Sequence, residues 1–302
     1  MYDVAVLGHI VMDEIERGDL RLRSIGGAAT YSTLAAKTYG ANTLLVSKIG
    51  KDFPEDLLSL LIEKGIDLAC VKRVPIPTTK FKLIYKNDER VLFLMERCEP
   101  ILPNDLCQLS FQAKIFHIGC VINEVPLQTL KQIRSKNKYI SLDIQGYVRK
   151  IDETGRVKFT EWNEAKHFLK LVNIVHADAD EARIITKAAT PSESAKILVE
   201  MGAEIALITL GEKGSYVGTE KEVLYIPAAK PNKIVDSTGA GDVYTIIFTL
   251  EYLASLSVKW AGAVASAAAS FIVESPGPTG FSNKDSAYRR AKTLMDHIKE
   301  VT

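Results

Sequence analysis

Over most of its length the chain alternates apolar runs of four to six residues with segments whose apolar positions recur at helical spacing. Such short runs, apolar on both faces and separated by helices, are strands that must lie parallel inside a doubly covered sheet, because a helix returns the chain to the edge from which it started. The candidate strands are 4–7, 44–49, 115–118, 140–144, 174–176, 205–209 and 233–235. Helical patterns lie between them at 54–64, 127–135, 181–187, 192–200 and 243–254. With 302 residues, 47% of them hydrophobic, there is material for one large α/β core, and disordered or collagen-like classes are excluded.

Two stretches interrupt the alternation. Segments 78–85 and 90–95 are strand-like and meet across Lys86-Asn87-Asp88-Glu89, which predicts a hairpin with no helix to cover it. Together with 14–23 it can form a small sheet projecting from the main domain as a lid. A second hairpin is expected from 214–218 and 223–226.

Charge and composition narrow the function classes. A net charge of +1 offers no field for nucleic acid or an anionic membrane, so any phosphate recognition must be local. The longest apolar run, 260–273, is dominated by alanine, is too short to span a bilayer, and reads as a helix packed closely on a neighbour. Residues 1–3 run into an apolar strand without a basic leader, so a cytoplasmic protein is expected. Cys70, Cys98, Cys107 and Cys120 lack paired spacing and read as free thiols rather than a zinc site or disulfide framework. His9, His117, His167, His176 and His297 show no metal-ligand spacing and read as core or surface histidines.

The chemistry concentrates in Asp236-Ser237-Thr238-Gly239-Ala240-Gly241-Asp242, small residues opening a long apolar helix. Backbone N–H groups of Gly239, Ala240 and Gly241 can converge on one anion, reinforced by the helix dipole. Asp242 inside that positive turn suits a base that deprotonates a hydroxyl attacking a phosphoryl group. Neither G-x-G-x-x-G nor a Walker sequence occurs, which removes dinucleotide enzymes and P-loop ATPases.

Gly26-Gly27 opening a helical pattern, the spacing to Gly40 and Gly50, and the run from Asp236 to Asp242 resemble the two signatures of the ribokinase-like (phosphofructokinase B, PfkB) family of carbohydrate kinases, from Gly8 to Gly280. The resemblance implies one ribokinase-like α/β domain over 1–302, with lid segments at about 14–23 and 76–97. It also implies ATP and Mg2+ as cofactors and a small polyhydroxy substrate. Asp242 takes the role of catalytic base, with Gly239, Ala240 and Gly241 stabilising the transferring group. Asp13, Gly26 and Gly27 fall at acceptor-binding positions, although Asp13 also fits a turn cap and the glycines a tight turn before a helix. Tyr31 stands where the family commonly has asparagine, which reshapes the pocket, and Ile246-Ile247 replace smaller residues.

Asp178 and Glu181 resemble an Asn-x-x-Glu element that organises magnesium, with Asp178 in place of asparagine; Asp178 and Asp180 also suit a helix N-terminus, whereas Glu181 keeps the family's residue. Thr209, Gly211 and Gly214 resemble the nucleotide loop, and Ser266 falls on the adenine side, where an alanine-rich helix also signals close packing. Gln145 and Arg149, in Asp143-Ile144-Gln145-Gly146-Tyr147-Val148-Arg149, resemble the element of inositol kinases. The expectation is an ATP-dependent kinase acting on a sugar or cyclitol hydroxyl, with myo-inositol favoured. A nucleoside kinase, for which Phe81, Tyr85 and Phe93 leave room, stays open, as does a catalytically silent sugar-binding regulator. Pairing of exposed lid strands across a homodimer is also expected.

Overall fold

The computed structural model describes residues 1–86, 89–136 and 138–301. Its first half contains β1 (Val4–Leu7), β2 (Val11–Arg17), β3 (Leu20–Gly26), α1 (Ala28–Tyr39), β4 (Thr43–Gly50), α2 (Glu55–Glu63), β5 (Asp67–Val74), β6 (Lys80–Lys86), β7 (Glu89–Glu96), β8 (Ile115–Gly119), α3 (Leu127–Arg134) and β9 (Tyr139–Asp143). Then follow β10 (Arg149–Ile151), β11 (Val157–Phe159), α4 (Ala165–Leu169), β12 (Ile174–Asp178), α5 (Ala179–Thr186), α6 (Pro191–Glu200), β13 (Ile205–Thr209), β14 (Ser215–Thr219) and β15 (Val223–Ile226). The last elements are α7 (Ala240–Ser255), α8 (Val258–Ile272), α9 (Lys284–Lys292) and β16 (Lys299–Val301).

Among the described residues the main sheet runs β16-β15-β14-β13-β12-β9-β8-β1-β4-β5. Every neighbouring pair from β13 to β5 is parallel. The expected hairpin β14-β15 and the terminal β16 extend that sheet antiparallel at one edge. The alternation of side chains along β1 shows how the core is built. Val4 and Val6 face a layer containing residues of α1, α7, α8 and α9, whereas Ala5 and Leu7 face residues of α3, α4, α5 and α6. All four are fully buried, as the apolar run requires. No described helix is long and apolar enough to cross a membrane.

The second sheet has the order β3-β2-β6-β7, with β2 and β6 parallel and the two outer pairs antiparallel. It joins the 14–23 segment to the 78–95 hairpin as the sequence predicts. Asn87 and Asp88 of the expected connector lie outside the described residues. A small cluster that includes Val11, Ala28, Phe81, Leu83, Val121 and Ile122 packs this sheet against the end of the main one.

Two expectations fail. Residues 233–235 form no strand, because the N–H groups of Val235 and Asp236 donate to the carbonyl of Val273 at the end of α8, and Asn232 donates to Glu274. A helix terminus supplies the acceptors that a sheet neighbour would have offered. Cys70 on β5 and Cys107 are bonded as a disulfide, while Cys98 and Cys120 are free and buried. The pairing was illegible because 37 residues separate the two, and only the fold of the 97–113 segment across the sheet edge brings them together.

Buried Glu251 ties the helices of one layer together. It accepts from the hydroxyls of Tyr39 on α1 (2.8 Å) and Tyr288 on α9 (2.8 Å) and from Trp260 Nε1 on α8 (3.1 Å), and it pairs with Lys284 Nζ at 3.1 Å. Removing the carboxylate leaves several polar atoms without a partner. Glu251→Ala is expected to lower unfolding stability by about 2–5 kcal/mol, to be read as a reduced urea midpoint with an unchanged slope.

Candidate active site

The parallel strands deliver their carboxyl ends to one edge, and the residues singled out from sequence gather there. Asp143 ends β9, Asp178 ends β12 and Thr209 ends β13. The turn before α7 meets them in one hollow. Asp236 stiffens that turn by accepting from the N–H of Thr238 (3.0 Å) and from Gly277 (3.1 Å). Gly239 is the residue before the first helical turn, with φ of +80°, and a Cβ there would stand inside the Tyr31 ring. Both facts demand glycine.

The N–H groups of Gly239, Gly241 and Asp242 have no backbone acceptor among the described residues, as at any helix start. Ala240 departs from the expected set of donors, since its N–H donates to Ser237 at 3.3 Å. Asp242 is buried, and its Oδ1 has no hydrogen-bond partner among the described residues. Burial, and next the charge of Asp143, push its pKa up to about 8, against the opposing pull of His176 and Arg149.

Two hollows adjoin at this turn. One, of about 450 Å³, is lined mainly by small and apolar groups, including Ala228, Ala229, Pro231, Tyr244, Ala269 and Val273, with Thr209, Gly211, Gly214 and Ser266 also on its wall. Gly214 has φ of +85°, and a Cβ there would meet the Ile226 carbonyl. Ser266 uses its hydroxyl internally, donating to the Pro227 carbonyl and accepting from the N–H of Ala229, both at 2.9 Å. It holds the segment after β15 against α8.

The other hollow, of about 570 Å³, lies beneath the small sheet. Gly27, Tyr31, Gln145, Arg149, Asp178, Glu181 and Asp242 line it from the main domain, and Val11, Asp13, Arg17, Phe81, Leu83, Tyr85 and Leu92 from the small sheet. Phe93 is not among the lining residues and instead bridges to Arg156. Gly26 stands next to Asp13, and a Cβ there would overlap the carboxylate. Tyr31 is buried, with its hydroxyl pKa raised by burial and by Asp236, Asp13 and Asp242. Arg149 donates to the Val121 carbonyl (3.1 Å) and to Gln145 Oε1 (2.6 Å), so the two residues expected to read the substrate also brace each other.

Asp178 caps α5 by accepting from the N–H of Glu181 (2.8 Å), and Glu181 Oε2 accepts in return from the N–H of Asp178 (3.0 Å). Each keeps a second oxygen outside that reciprocal cap. Burial, then Asp143 and Asp178, raise Glu181 to about 8, and burial raises Asp178 as well. Among the described residues no cluster of side chains forms a metal site by itself.

From sequence Asp143 carries no role and His176 reads as a core or surface histidine, and His176 is indeed buried. His176 Nδ1 lies 2.8 Å from Asp143 Oδ2, and its Nε2 lies 3.0 Å from Thr209 Oγ1. Burial alone would depress the imidazole, but Asp143, Glu181 and Asp242 outweigh it and hold its pKa above the ordinary value. The reverse happens to Asp143, where His176 and the N–H of Gln145 overcome burial. The only signal in the sequence was an ionisable residue at the end of each of two consecutive apolar strands.

The fold and site define a ribokinase-like α/β kinase. A model of the pfkB family carbohydrate kinases matches residues 2–285, and the chain belongs to this family. Its members are phosphotransferases that act on hydroxyl groups. A cytidine kinase from Thermococcus kodakarensis is 30% identical over 83% of this chain and 89% of its own length. An inositol 3-kinase from Arabidopsis thaliana is 27% identical over 96% of this chain and 80% of its own. The fold matches a solved pyrophosphate-dependent kinase of the ribokinase family with a TM-score of 0.81 and 24% identity, covering 91% of this chain and 96% of that one. It matches Arabidopsis thaliana ribokinase, solved with ribose and ATP, with a TM-score of 0.81 and 20% identity over 96% and 99% of the two chains.

The raised pKa of Asp242 carries a stability signature. Between the ordinary value of 3.8 and about 8 the folded chain keeps a proton that the unfolded chain has lost, so stability falls as pH rises through this window. Glu181 acts in the same direction between 4.5 and about 8. Asp242→Asn removes the first contribution, and urea unfolding should find it more stable than the parent by about 1–3 kcal/mol at pH 9 but little changed at pH 4.

Proposed function

We propose that the protein transfers the γ-phosphoryl group of ATP, bound as its magnesium complex, to a hydroxyl of a ring-shaped acceptor. The observation that carries this reading is the buried Asp242, with Oδ1 unpartnered, standing where the two hollows meet at the start of α7. In the proposed reaction the apolar 450 Å³ hollow takes the adenine and ribose, which puts the phosphates over the N–H groups of Gly239 and Gly241. Asp242 accepts the proton of the acceptor hydroxyl as that oxygen attacks phosphorus, and helix-start N–H groups stabilise the charge on the transferring group. Full ionisation of Asp242 needs positive charge nearby.

Oxygen donors suit magnesium, and Glu181 with Asp178 offers two buried carboxylates whose raised pKa values mark an excess of negative charge. These residues would hold the ion's shell, and the bound ion neutralises phosphate charge as it develops. Phe81, Tyr85 and the rest of the small sheet act as the lid, excluding water from the acceptor hollow.

The acceptor hollow favours a nucleoside. Asp13, Gln145 and Arg149 on its lining suit ribose hydroxyls, and the small sheet adds Leu92 and the Tyr85 ring, with Arg17 over that ring, beside which a base could lie. The resemblance to a cytidine kinase supports the same choice. The second reading is a cyclitol such as myo-inositol, supported by the Gln145–Arg149 pair and by the likeness to an inositol 3-kinase. Exposed Leu20 and Leu22 on edge strand β3 support pairing of the lid with a second copy.

ADP release with MgATP should therefore be measured across cytidine, other nucleosides, myo-inositol and ribose. Turnover on a nucleoside with silence on myo-inositol is the expected result, and the opposite pattern selects the cyclitol. On whichever acceptor is used, Asp242→Asn should lower kcat by about 10²- to 10⁴-fold. A variant that turns over at the parent's rate would remove Asp242 from the role of base.

A further inference from the structure

A continuous chain of hydrogen bonds runs from one hollow to the other. It starts at the Val121 carbonyl, which accepts from Arg149 Nη1 at 3.1 Å, and Arg149 Nη2 donates to Gln145 Oε1 at 2.6 Å. The N–H of Gln145 donates to Asp143 Oδ1 at 2.8 Å, and Asp143 Oδ2 meets His176 Nδ1 at 2.8 Å. His176 Nε2 then meets Thr209 Oγ1 at 3.0 Å. Thr209 lines both hollows, whereas Gln145 and Arg149 line only the acceptor one. Asp143 is 3% exposed and His176 4%, although both reach the wall of the acceptor hollow, so little water competes for the central link. The imidazole edge also abuts the turn: a Cβ on Gly241 would lie 3.0 Å from His176 Cε1.

The whole chain runs along the wall of the acceptor hollow and reaches the other hollow at Thr209, and its middle is the single imidazole that bridges β9 and β13. A group that restrains Thr209 and the Gly241 turn also restrains His176, then Asp143, and then the turn that carries Gln145 and Arg149. Ordering achieved by the first ligand need not be repeated for the second, which makes their binding mutually favourable. We infer that His176 is a positioning residue through which filling the donor hollow organises the Gln145–Arg149 wall of the acceptor hollow. This inference rests on the reading of the 450 Å³ hollow as the donor site.

Amide hydrogen exchange tests it without knowledge of the acceptor. The full-length protein is compared with and without the magnesium complex of adenosine 5′-(β,γ-imido)triphosphate, following 144–149 as the reporter and 209–215 with 239–242 as the measure of donor occupancy. In the parent, the analogue should slow exchange at 144–149 by about fivefold or more. In His176→Leu, protection at 209–215 should persist and that at 144–149 vanish, and His176→Gln, whose amide can still bond Asp143 or Thr209, should restore part of it. If His176→Leu fails to fold, Thr209→Val cuts the same chain at its donor end and should give the same loss.

Donor segments protected while 144–149 stays unchanged in the parent, or 144–149 still protected in the cut variants, would overturn the inference and leave the proposed function standing. If the analogue protects neither region, magnesium pyrophosphate is run in its place and the same two regions are scored. Protection with pyrophosphate alone corrects the donor and decides the inference by the same criteria. Protection with neither removes the donor reading and the inference together.

Discussion

A buried carboxylate that cannot comfortably ionise is the constraint around which this molecule is arranged. Asp242 sits at the start of α7 with one oxygen unpartnered, and both burial and Asp143 oppose its charge. Nearby Glu181 is held near the same value for related reasons. Water would relax such a cluster, so its persistence depends on the sheet, on α7 and on the Tyr31 ring closing over the Gly239 turn. The remaining compensation comes from the Asp143–His176 pair, which keeps one negative charge fully matched and leaves Asp242 and Glu181 as the groups able to respond to a cation or a proton.

The architecture makes that cluster possible. Parallel strands place their carboxyl ends on one edge, and β9, β12 and β13 end on Asp143, Asp178 and Thr209. Behind that edge, Glu251 fastens α1, α7, α8 and α9 into one layer, which fixes the angle at which α7 delivers Asp242. Ile246 and Ile247, larger than the family pattern, are absorbed fully into the same layer beside the alanines of α1 and α8. Their bulk is taken up by packing within that layer.

The same physics separates what was legible from what was not. The β/α alternation and the hairpin of the small sheet were readable because periodicity reports directly which face of an element is buried. The glycines at 26, 27 and 239 were readable because a missing Cβ has a local consequence, here the approach of Asp13, the His9 carbonyl and Tyr31. Residues 233–235 misled because an apolar triplet says that contacts exist without saying what supplies its hydrogen bonds, and the acceptor came from the end of α8. Ser266 was readable as a position on the wall of the hollow, but not as a hydroxyl already engaged by Pro227 and Ala229.

By itself the sequence determined the class of fold, the membership of a kinase family and the turn that carries Asp242, because each rests on spacing along the chain. Tertiary structure alone decided that His176 bridges Asp143 and Thr209, that Cys70 reaches Cys107, and that Arg149 is braced on Val121. It also decided which side chains meet in the hollow beneath the small sheet, since they come from β2, β6 and β7 as well as from the main domain. The physical reason is that pairing, desolvation and cavity shape depend on distances between residues remote in sequence. Such distances exist only once the sheet has closed, and no local pattern encodes them.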